Sequence, residues 1–365
     1  MPVSPDIGSR FAGPVADLLA RHELELLEAA VAALRGDQTR ADWEAQALAR
    51  IRLWRTRAER GVAGALAQLG VAVRAALLGA QAEGAAQAVA ELPGRTVDPP
   101  PGTRGLRLSE ERLGRQLATA LQQSPRLLES VLREAVRAGV DEVRGGTAVR
   151  RGGSQQVLDK LVRQGITGFR DSAGRNWSLT SYTEMAVRTE TQARALAAGD
   201  ASIRAAGLDL VIVSDSPREC PLCRPFEGKV LSLNGGIGEQ SHAVTRSNEF
   251  GARPVRVSVH SSLQAARAAG FQHPNCTHSY SAFIPGVTKR DRPKANPEGY
   301  EAKQRQRAME RKIREWKRAE AVALTPAAKA QARAKVRDWQ ARLRTHVKDN
   351  GLKRQPGRES IKKAV

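Results

Sequence analysis

The chain has 365 residues and a net charge of +21, with a sequence pI near 10.8. No run of about 18 apolar residues occurs, and the start Met-Pro-Val-Ser-Pro-Asp lacks the apolar core of a signal peptide, so a membrane partner and secretion are not expected. Hydrophobic residues make up 41 % and aromatic residues only 4 %, which allows two or three domains packed mainly through Ala, Leu and Val. The excess of Lys and Arg over Asp and Glu favours nucleic acid or another polyanion as a partner.

Residues 1–92 are predicted to form a helical region. Apolar residues recur every three or four positions between Val15 and Leu34, and two further helices are predicted around Ile51 and Val73. Prolines and glycines at 93–105 predict a linker, because neither residue continues a helix well. No chemistry is visible in this region, so a plain bundle or hairpin is expected.

Residues 106–153 are predicted to be a helical connector that ends in a basic, glycine-rich loop. Ser109 and Ser124-Pro125 each have the pattern that begins a helix, which predicts two separate helices. The loop Arg144–Gly153 lacks the Gly-Lys-[Ser/Thr] ending of a P-loop, so a linker is preferred over a phosphate site.

Residues 154–288 are predicted to be a module of helices and short strands. Ser181-x-x-Glu184 has the pattern of a capping box and predicts a helix that runs to Ala206. Leu208–Ser214 is the clearest buried strand, and Lys229–Leu233 is a second one. The predicted fold class is therefore α+β: a helical N-terminal region, this central module and a helical C-terminal region.

All three cysteines of the chain lie in this module, as Cys220-x-x-Cys223 and as Cys276 between His273 and His278. A C-x-x-C turn presents two sulfurs to one ion, and a distant H-x-x-C supplies two further ligands; soft thiolates with an imidazole suit Zn²⁺. The first choice of ligands is Cys220, Cys223, His273 and Cys276, with His278 competing for the fourth place. Four protein ligands would make a closed, structural zinc site.

Three other interpretations of the cysteines stay open: a redox pair, a structural disulfide and a cluster without a ligand. Pro225 discourages the helix that follows a thioredoxin-type pair, and a disulfide would leave one of the three cysteines unpaired. A zinc deaminase is excluded because the chain has neither its H-x-E motif nor a proline directly before Cys220.

Residues 289–365 are predicted to be a basic helical arm with a disordered tail at Leu352–Arg358. They hold 24 Lys and Arg against 9 Asp and Glu, a balance of +15 within the total of +21. Such an arm can bind double-stranded DNA without sequence preference by releasing counterions; a solvated charged face or docking on an acidic protein are the alternatives. The candidate DNA-binding residues are seven cations of its first helix: Arg305, Arg307, Arg311, Lys312, Arg314, Lys317 and Arg318.

A series of motifs runs from the central module into the C-terminal segment: Arg188-Thr-Glu190, Leu210–Ser214, Cys220-Pro-Leu-Cys-Arg-Pro-Phe-Glu-Gly-Lys-Val230, His273-Pro-Asn-Cys-Thr-His278, Phe283-Ile-Pro-Gly286, Tyr300–Arg307, Glu310-Arg-Lys-Ile-Arg314 and Lys317. Taken together, these motifs resemble the tailed-phage minor capsid protein 2 family, over roughly residues 150–355. The centre is also similar, more distantly, to the phage Mu F-like head morphogenesis domain.

The resemblance implies a low-copy virion protein that acts at the portal vertex after its synthesis in the host cytoplasm. It implies association with portal protein, capsid proteins and packaged DNA, and a part in DNA packaging or delivery; self-association into a homo-oligomer is left open. It implies no catalytic residues, so no enzyme is expected. The alternatives are a zinc-clipped nuclease or toxin-type enzyme, and a free DNA-binding protein.

Overall fold

The fold is that of a computed structural model, which describes the greater part of the chain. The described residues are 3–36, 39–92, 103–144, 151–164, 169–170, 176–218, 220–244, 253–276, 278–289 and 295–361.

Long helices dominate the described residues, and the strands are short. The helices are α1 (Ile7–Leu34), α2 (Trp43–Ala90), α3 (Thr103–Arg144), α4 (Arg151–Gln164), α5 (Leu179–Ala205), α6 (Leu263–Ala268), α7 (Pro297–Ala321) and α8 (Pro326–Asp349). The strands are β1 (Phe169–Arg170), β2 (Asn176–Trp177), β3 (Leu210–Val213), β4 (Val230–Ser232), β5 (Gly238–Val244), β6 (Arg253–Val259), β7 (Ser261–Ser262) and β8 (Tyr280–Ala282). The predicted α+β class is confirmed.

The chain divides into two compact units that cut across the segments predicted from the sequence. The sheet unit comprises Met1–Ala12, Ala75–Glu110 and Met185–Lys303. The helical unit comprises Gly13–Arg74, Glu111–Glu184 and Gln304–Val365. The first and last segments each contribute residues to a unit that also contains distant parts of the chain.

The core of the helical unit joins residues from both ends of the sequence. Leu34 of α1, Ile51 of α2 and Leu132 of α3 belong to one buried cluster, which also includes Val322 after α7 and Ala332 of α8. Burial of the leucine, isoleucine and valine side chains contributes about 1.5–3 kcal/mol each, which offsets the entropy of ordering helices that would be marginal alone. The five tryptophans of the chain all fall in this unit: Trp43, Trp54, Trp177, Trp316 and Trp339.

Two helices are longer than the sequence predicted. The second and third predicted helices form the single helix α2, and the pair predicted at Ser109 and Ser124-Pro125 forms the single helix α3. Pro125 lacks the N–H that would bond to the Leu121 carbonyl one turn earlier. The Ser124 hydroxyl donates to that carbonyl at 2.7 Å and replaces the missing bond, so the helix continues through the proline.

By length and composition, α2 is the one helix of the described residues that could cross a membrane. This is weak evidence for a membrane span, since the core helix of a soluble protein passes the same test.

The sheet unit is built around a four-stranded sheet in the order β7-β4-β3-β8. Strand β3 pairs antiparallel with β4 and with β8, while β4 and β7 are parallel. Alternate residues of β3 face opposite sides: Val211 and Val213 join the cluster that contains Leu196 of α5, and Leu210 and Ile212 join Val257 of the β5–β6 hairpin. The strands predicted at Leu208–Ser214 and Lys229–Leu233 are therefore confirmed as β3 and β4.

Two local predictions are wrong. Helix α5 begins at Leu179 rather than at a Ser181 capping box, because the Ser178 hydroxyl accepts from the Ser181 N–H at 3.2 Å and caps the helix earlier. The tail predicted to be disordered contains a 3₁₀ turn at Pro356–Glu359. Glu359 is buried there, with its carboxylate paired to Arg354 at 2.6 Å.

Candidate metal centre

The first half of the metal centre lies in the turn between β3 and β4. The Cys223 N–H donates to the Cys220 carbonyl at 3.2 Å, and the Arg224 N–H donates to the same carbonyl at 3.1 Å. A 3₁₀ turn at Arg224–Phe226 then leads into β4. The C-x-x-C motif thus forms the tight bend expected from the sequence, and the bend lies at the end of the β3–β4 hairpin.

The second half lies in the turn between α6 and β8. The Cys276 N–H donates to the His273 carbonyl at 2.9 Å, and Asn275 has a positive φ of 68°, a left-handed conformation that asparagine tolerates better than most residues. The turn is held from outside because Arg188 of α5 donates to the Asn275 side chain. Strands β3 and β8 are neighbours in the sheet, and Val213 at the end of β3 lies opposite Tyr280 at the start of β8. The two cysteine turns therefore meet at the same end of these strands.

The five candidate ligand atoms form two groups of three that share Cys223. One group holds Cys220, Cys223 and His273, and the other holds Cys223, Cys276 and His278; within each, the ligand atoms lie within 4.8 Å of one another. The Cys220 Sγ to His273 Nε2 distance is 2.9 Å, the Cys223 Sγ to Cys276 Sγ distance is 3.4 Å, and the Cys276 Sγ to His278 Nδ1 distance is 3.4 Å.

These separations are close to those of a tetrahedral zinc site. With Zn–S bonds near 2.3 Å and Zn–N bonds near 2.0 Å, neighbouring sulfurs are about 3.8 Å apart and a sulfur and a nitrogen about 3.5 Å apart. Each group of three is therefore close to this geometry, whereas no four of the candidate atoms in the described residues all lie within 4.8 Å of one another. To hold one ion among three thiolates and one imidazole, the two groups would have to close towards each other around Cys223. The chemistry of the donor set suits Zn²⁺.

Both histidines are oriented through their second ring nitrogen. His273 Nδ1 lies 2.8 Å from the Pro274 carbonyl oxygen, which directs Nε2 towards Cys220. His278 Nε2 lies 2.6 Å from the Glu227 carboxylate, and its Nδ1 faces Cys276. A carbonyl or carboxylate behind the ring is the usual support of a metal-bound histidine.

Glu227 is a supporting residue that was not predicted from the sequence. Its carboxylate is fully buried and also accepts from the Ser216 N–H at 3.1 Å, while Arg224 lies 3.6 Å away. The only sequence signal was its place in the motif that follows Cys223. Its partner His278 is 51 positions away, and that pairing depends on the fold.

The thiols are strongly perturbed by their surroundings. The hydrogen bond with Cys276, together with burial, raises the pKa of Cys223 to about 12. The same hydrogen bond lowers the pKa of Cys276 against the effect of its burial, and burial raises the pKa of Cys220. Buried thiols of this kind ionise when they coordinate a metal cation, because the ion compensates the buried negative charge.

The seven cations predicted to bind DNA differ widely in exposure. Arg305, Arg311 and Lys312 are exposed, whereas Arg307 and Lys317 are half-buried.

The remaining two cations hold the helical unit together. Arg314 pairs with Glu184 at 3.2 Å and Arg318 with Glu23 at 3.6 Å, and both arginine side chains are buried. Arg314 and Arg318 are therefore the two predicted DNA-binding cations whose side chains do not face solvent. Charge pattern alone does not reveal a carboxylate partner that lies over a hundred residues away.

Similarity to a known protein family covers nearly the whole chain. A family model described as phage minor capsid protein 2 matches residues 3–348, nearly the whole chain. No curated protein and no solved structure matches the chain. The match extends the resemblance seen in the central motifs to the N-terminal helices, and the chain therefore belongs to the phage minor capsid protein 2 family, whose members are structural proteins of the virion.

Proposed function

We propose that this virion protein is a low-copy component of the portal vertex, where it contacts portal protein and packaged DNA and supports DNA packaging or delivery. It would be made in the host cytoplasm and join the head during assembly. The observation that carries the proposal is the family match over residues 3–348 in a chain with a net charge of +21. A basic protein inside a capsid is placed to neutralise DNA phosphates.

The test of this proposal is quantitative mass spectrometry of purified, DNA-filled particles, with portal and major capsid proteins measured in the same sample. A few to a few tens of copies per particle are expected. Absence from both mature and immature particles would remove the portal-vertex proposal. Nicking of plasmid by the pure protein with Mg²⁺, lost in His278→Ala, would then favour the nuclease alternative.

Exposed cations on α8 support the DNA contact better than those of α7. Lys329, Arg333, Arg337, Arg344 and Lys348 are all exposed, and their spacing of four and seven residues places them on one face of the helix. The stripe covers about 28 Å at 1.5 Å per residue, long enough to follow several phosphates of a duplex. These five cations were not among the predicted DNA-binding residues, although their spacing is visible in the sequence.

Neutralising the stripe is expected to weaken DNA binding and its salt dependence. In a variant with Lys329, Arg337, Arg344 and Lys348 all changed to Gln, the slope of log K against log salt should fall by about 3 to 4, since each lost phosphate contact removes about 0.9. The measurement is fluorescence anisotropy with two unrelated duplexes between about 50 and 200 mM salt.

The matched control removes four exposed arginines elsewhere in the helical unit, by changing them to Gln: Arg52, Arg60, Arg74 and Arg115. Both variants lose the same net charge. A difference between their slopes of log K against log salt would therefore come from a local contact of α8 with DNA. Equal slopes would argue against α8 as the DNA-binding face. A strong preference for one duplex would instead favour a sequence-specific regulator.

We also propose that the cysteine and histidine cluster holds one structural Zn²⁺. Cys220, Cys223 and Cys276 would supply three thiolates, and His273 or His278 would supply the imidazole. With four protein ligands the ion would join the β3–β4 turn to the turn before β8, and it would stabilise the sheet unit without taking part in a reaction. The structural role of the family supports a protein without enzymatic activity.

A further inference from the structure

A groove runs between α1 and α2 within the helical unit. Its volume is about 680 Å³, and its lining extends over Leu18–Ala33 of α1 and Arg50–Gln68 of α2. At 1.5 Å per residue these stretches are about 22 and 27 Å long, which matches a helix of about four turns. The floor consists of small residues that allow a third backbone to come close: Ala29, Ala32, Ala33, Ala58, Gly61, Gly64 and Ala65.

Three polar side chains in the lining have a buried atom without a hydrogen-bond partner. These atoms are His22 Nε2, Arg50 Nη2 and Trp54 Nε1. His22 is only 8 % exposed and Trp54 only 5 %. The guanidinium and the indole N–H act only as donors, and a buried donor without an acceptor is costly. Arg50 Nη2 and Trp54 Nε1 are therefore donors of lining residues that have no acceptor among the described residues, and both atoms are closed to solvent.

The charges of the lining have one dominant sign. The lining contains one acidic residue, Glu25, and three arginines, Arg21, Arg50 and Arg57. Leu53, on the same wall, is 60 % exposed, although a large apolar side chain is stabilised by burial. A ligand that complements this groove carries both carboxylates and an apolar surface.

We propose that the groove binds an acidic amphipathic helix of another virion protein. The length of the groove, its small-residue floor and its apolar wall suit a helix laid into a groove, and its arginines suit Asp or Glu on the helix flank. DNA is a poorer complement, since its phosphates would meet an apolar floor. The proposal rests on the proposed function, because it takes the partner to be a component of the particle.

The first test fills the groove without disturbing the fold. Gly64 and Gly70 both lie on α2, and a β-carbon at either would meet no atom within 4 Å, but only Gly64 lines the groove. Both Gly64→Leu and Gly70→Leu should keep the fold, since leucine has the higher helix propensity. In particles from phage carrying each variant, Gly64→Leu is expected to lower the copy number at least about fivefold, with Gly70→Leu unchanged.

The two proposals fail in different ways in this experiment. Wild-type and Gly70→Leu protein at low copy in the particle, with Gly64→Leu at the same level, would overturn the groove proposal alone. Absence of the wild-type protein from the particle would remove the portal-vertex proposal and the groove proposal together.

The second test identifies the occupant. Benzoylphenylalanine replaces Leu53 in the groove wall or, as a control, Val71, which is 73 % exposed on α2 outside the groove. After irradiation of intact particles, crosslinks from position 53 are expected in a helical segment rich in Asp or Glu of one other virion protein. Crosslinks to a second copy of this chain, to lipid or to DNA, or equal crosslinking from position 71, would overturn the proposal.

Discussion

Cys223→Ser is expected to abolish zinc binding and to destabilise the sheet unit by at least about 4 kcal/mol. Cys223 belongs to both groups of candidate ligands, so neither group can hold an ion without it. Structural zinc contributes on the order of 10 kcal/mol in small zinc fingers, and the sheet unit has a hydrophobic core of its own, so a smaller effect is expected here. Elemental analysis of freshly purified, reduced protein gives the zinc content, and thermal unfolding followed by circular dichroism gives the stability.

Leu222→Ser is the matched control for this prediction. Leu222 lies between the two cysteines, is 56 % exposed and offers no ligand atom, so its variant should keep both zinc and stability. Chelation should lower the melting temperature of the wild type but leave that of Cys223→Ser unchanged. Less than about a tenth of an equivalent of zinc in the wild type would show that the site is not a zinc site.

The fourth ligand is decided by a pair of variants. Whichever of His273→Ala and His278→Ala loses zinc identifies the histidine in the coordination sphere.

Glu23→Ala is expected to destabilise the helical unit by about 3–5 kcal/mol, the usual cost of leaving one partner of a buried ion pair alone. The Glu23 carboxylate accepts from the N–H groups of Leu179 and Thr180, each at 3.2 Å, and from the Thr180 hydroxyl. It also lies 3.6 Å from the buried Arg318 guanidinium. Its loss therefore leaves the buried Arg318 guanidinium without this carboxylate and removes one of the two caps of α5. Chemical denaturation followed by tryptophan fluorescence measures the change.

Glu28→Ala controls for the loss of a carboxylate on the same helix. Glu28 is exposed on α1, so its variant should stay within about 0.5 kcal/mol of the wild type. The double variant Glu23→Ala/Arg318→Ala should recover part of the loss, because it removes the stranded charge as well. A Glu23→Ala protein as stable as the Glu28→Ala protein would contradict the assigned role.

Local sequence was sufficient to predict the cysteine turns and the strands around them. Leu208–Ser214 has the β-branched composition of a buried strand, and the C-x-x-C motif follows it directly. What sequence could not provide is the pairing of β3 with β8, which brings His273 and Cys276 to the first turn. That pairing depends on the sheet order, and sheet order arises from packing over the whole unit.

The predicted helix boundaries were wrong where a distant or unexpected group formed a hydrogen bond with the helix backbone. Ser124 and Pro125 have the pattern of a helix start, yet the serine hydroxyl takes over the bond that the proline cannot make. The N-terminus of α5 is capped by Ser178 and by Glu23, a residue from α1. Helix propensities describe the preferences of a short stretch of sequence, and tertiary contacts of this kind override them.

In the basic C-terminal segment, the sequence likewise does not show which charged side chains are buried. Arg314 and Arg318 have the same sequence character as the exposed Arg311, but burial beside carboxylates gives them a structural role. Helical periodicity separates the exposed stripe on α8 from the core-facing Ala332 and Leu343, so that part of the surface was predictable.

The placement of all five tryptophans in the helical unit makes the two units optically distinct. Tryptophan emission, excited at a wavelength that tyrosine does not absorb, reports on the helical unit alone, whereas far-ultraviolet circular dichroism reports on helices of both units. An unfolding transition seen by dichroism but silent in emission belongs to the sheet unit. If a chelator moves that silent transition, it locates the metal in the sheet unit without any substitution in the chain.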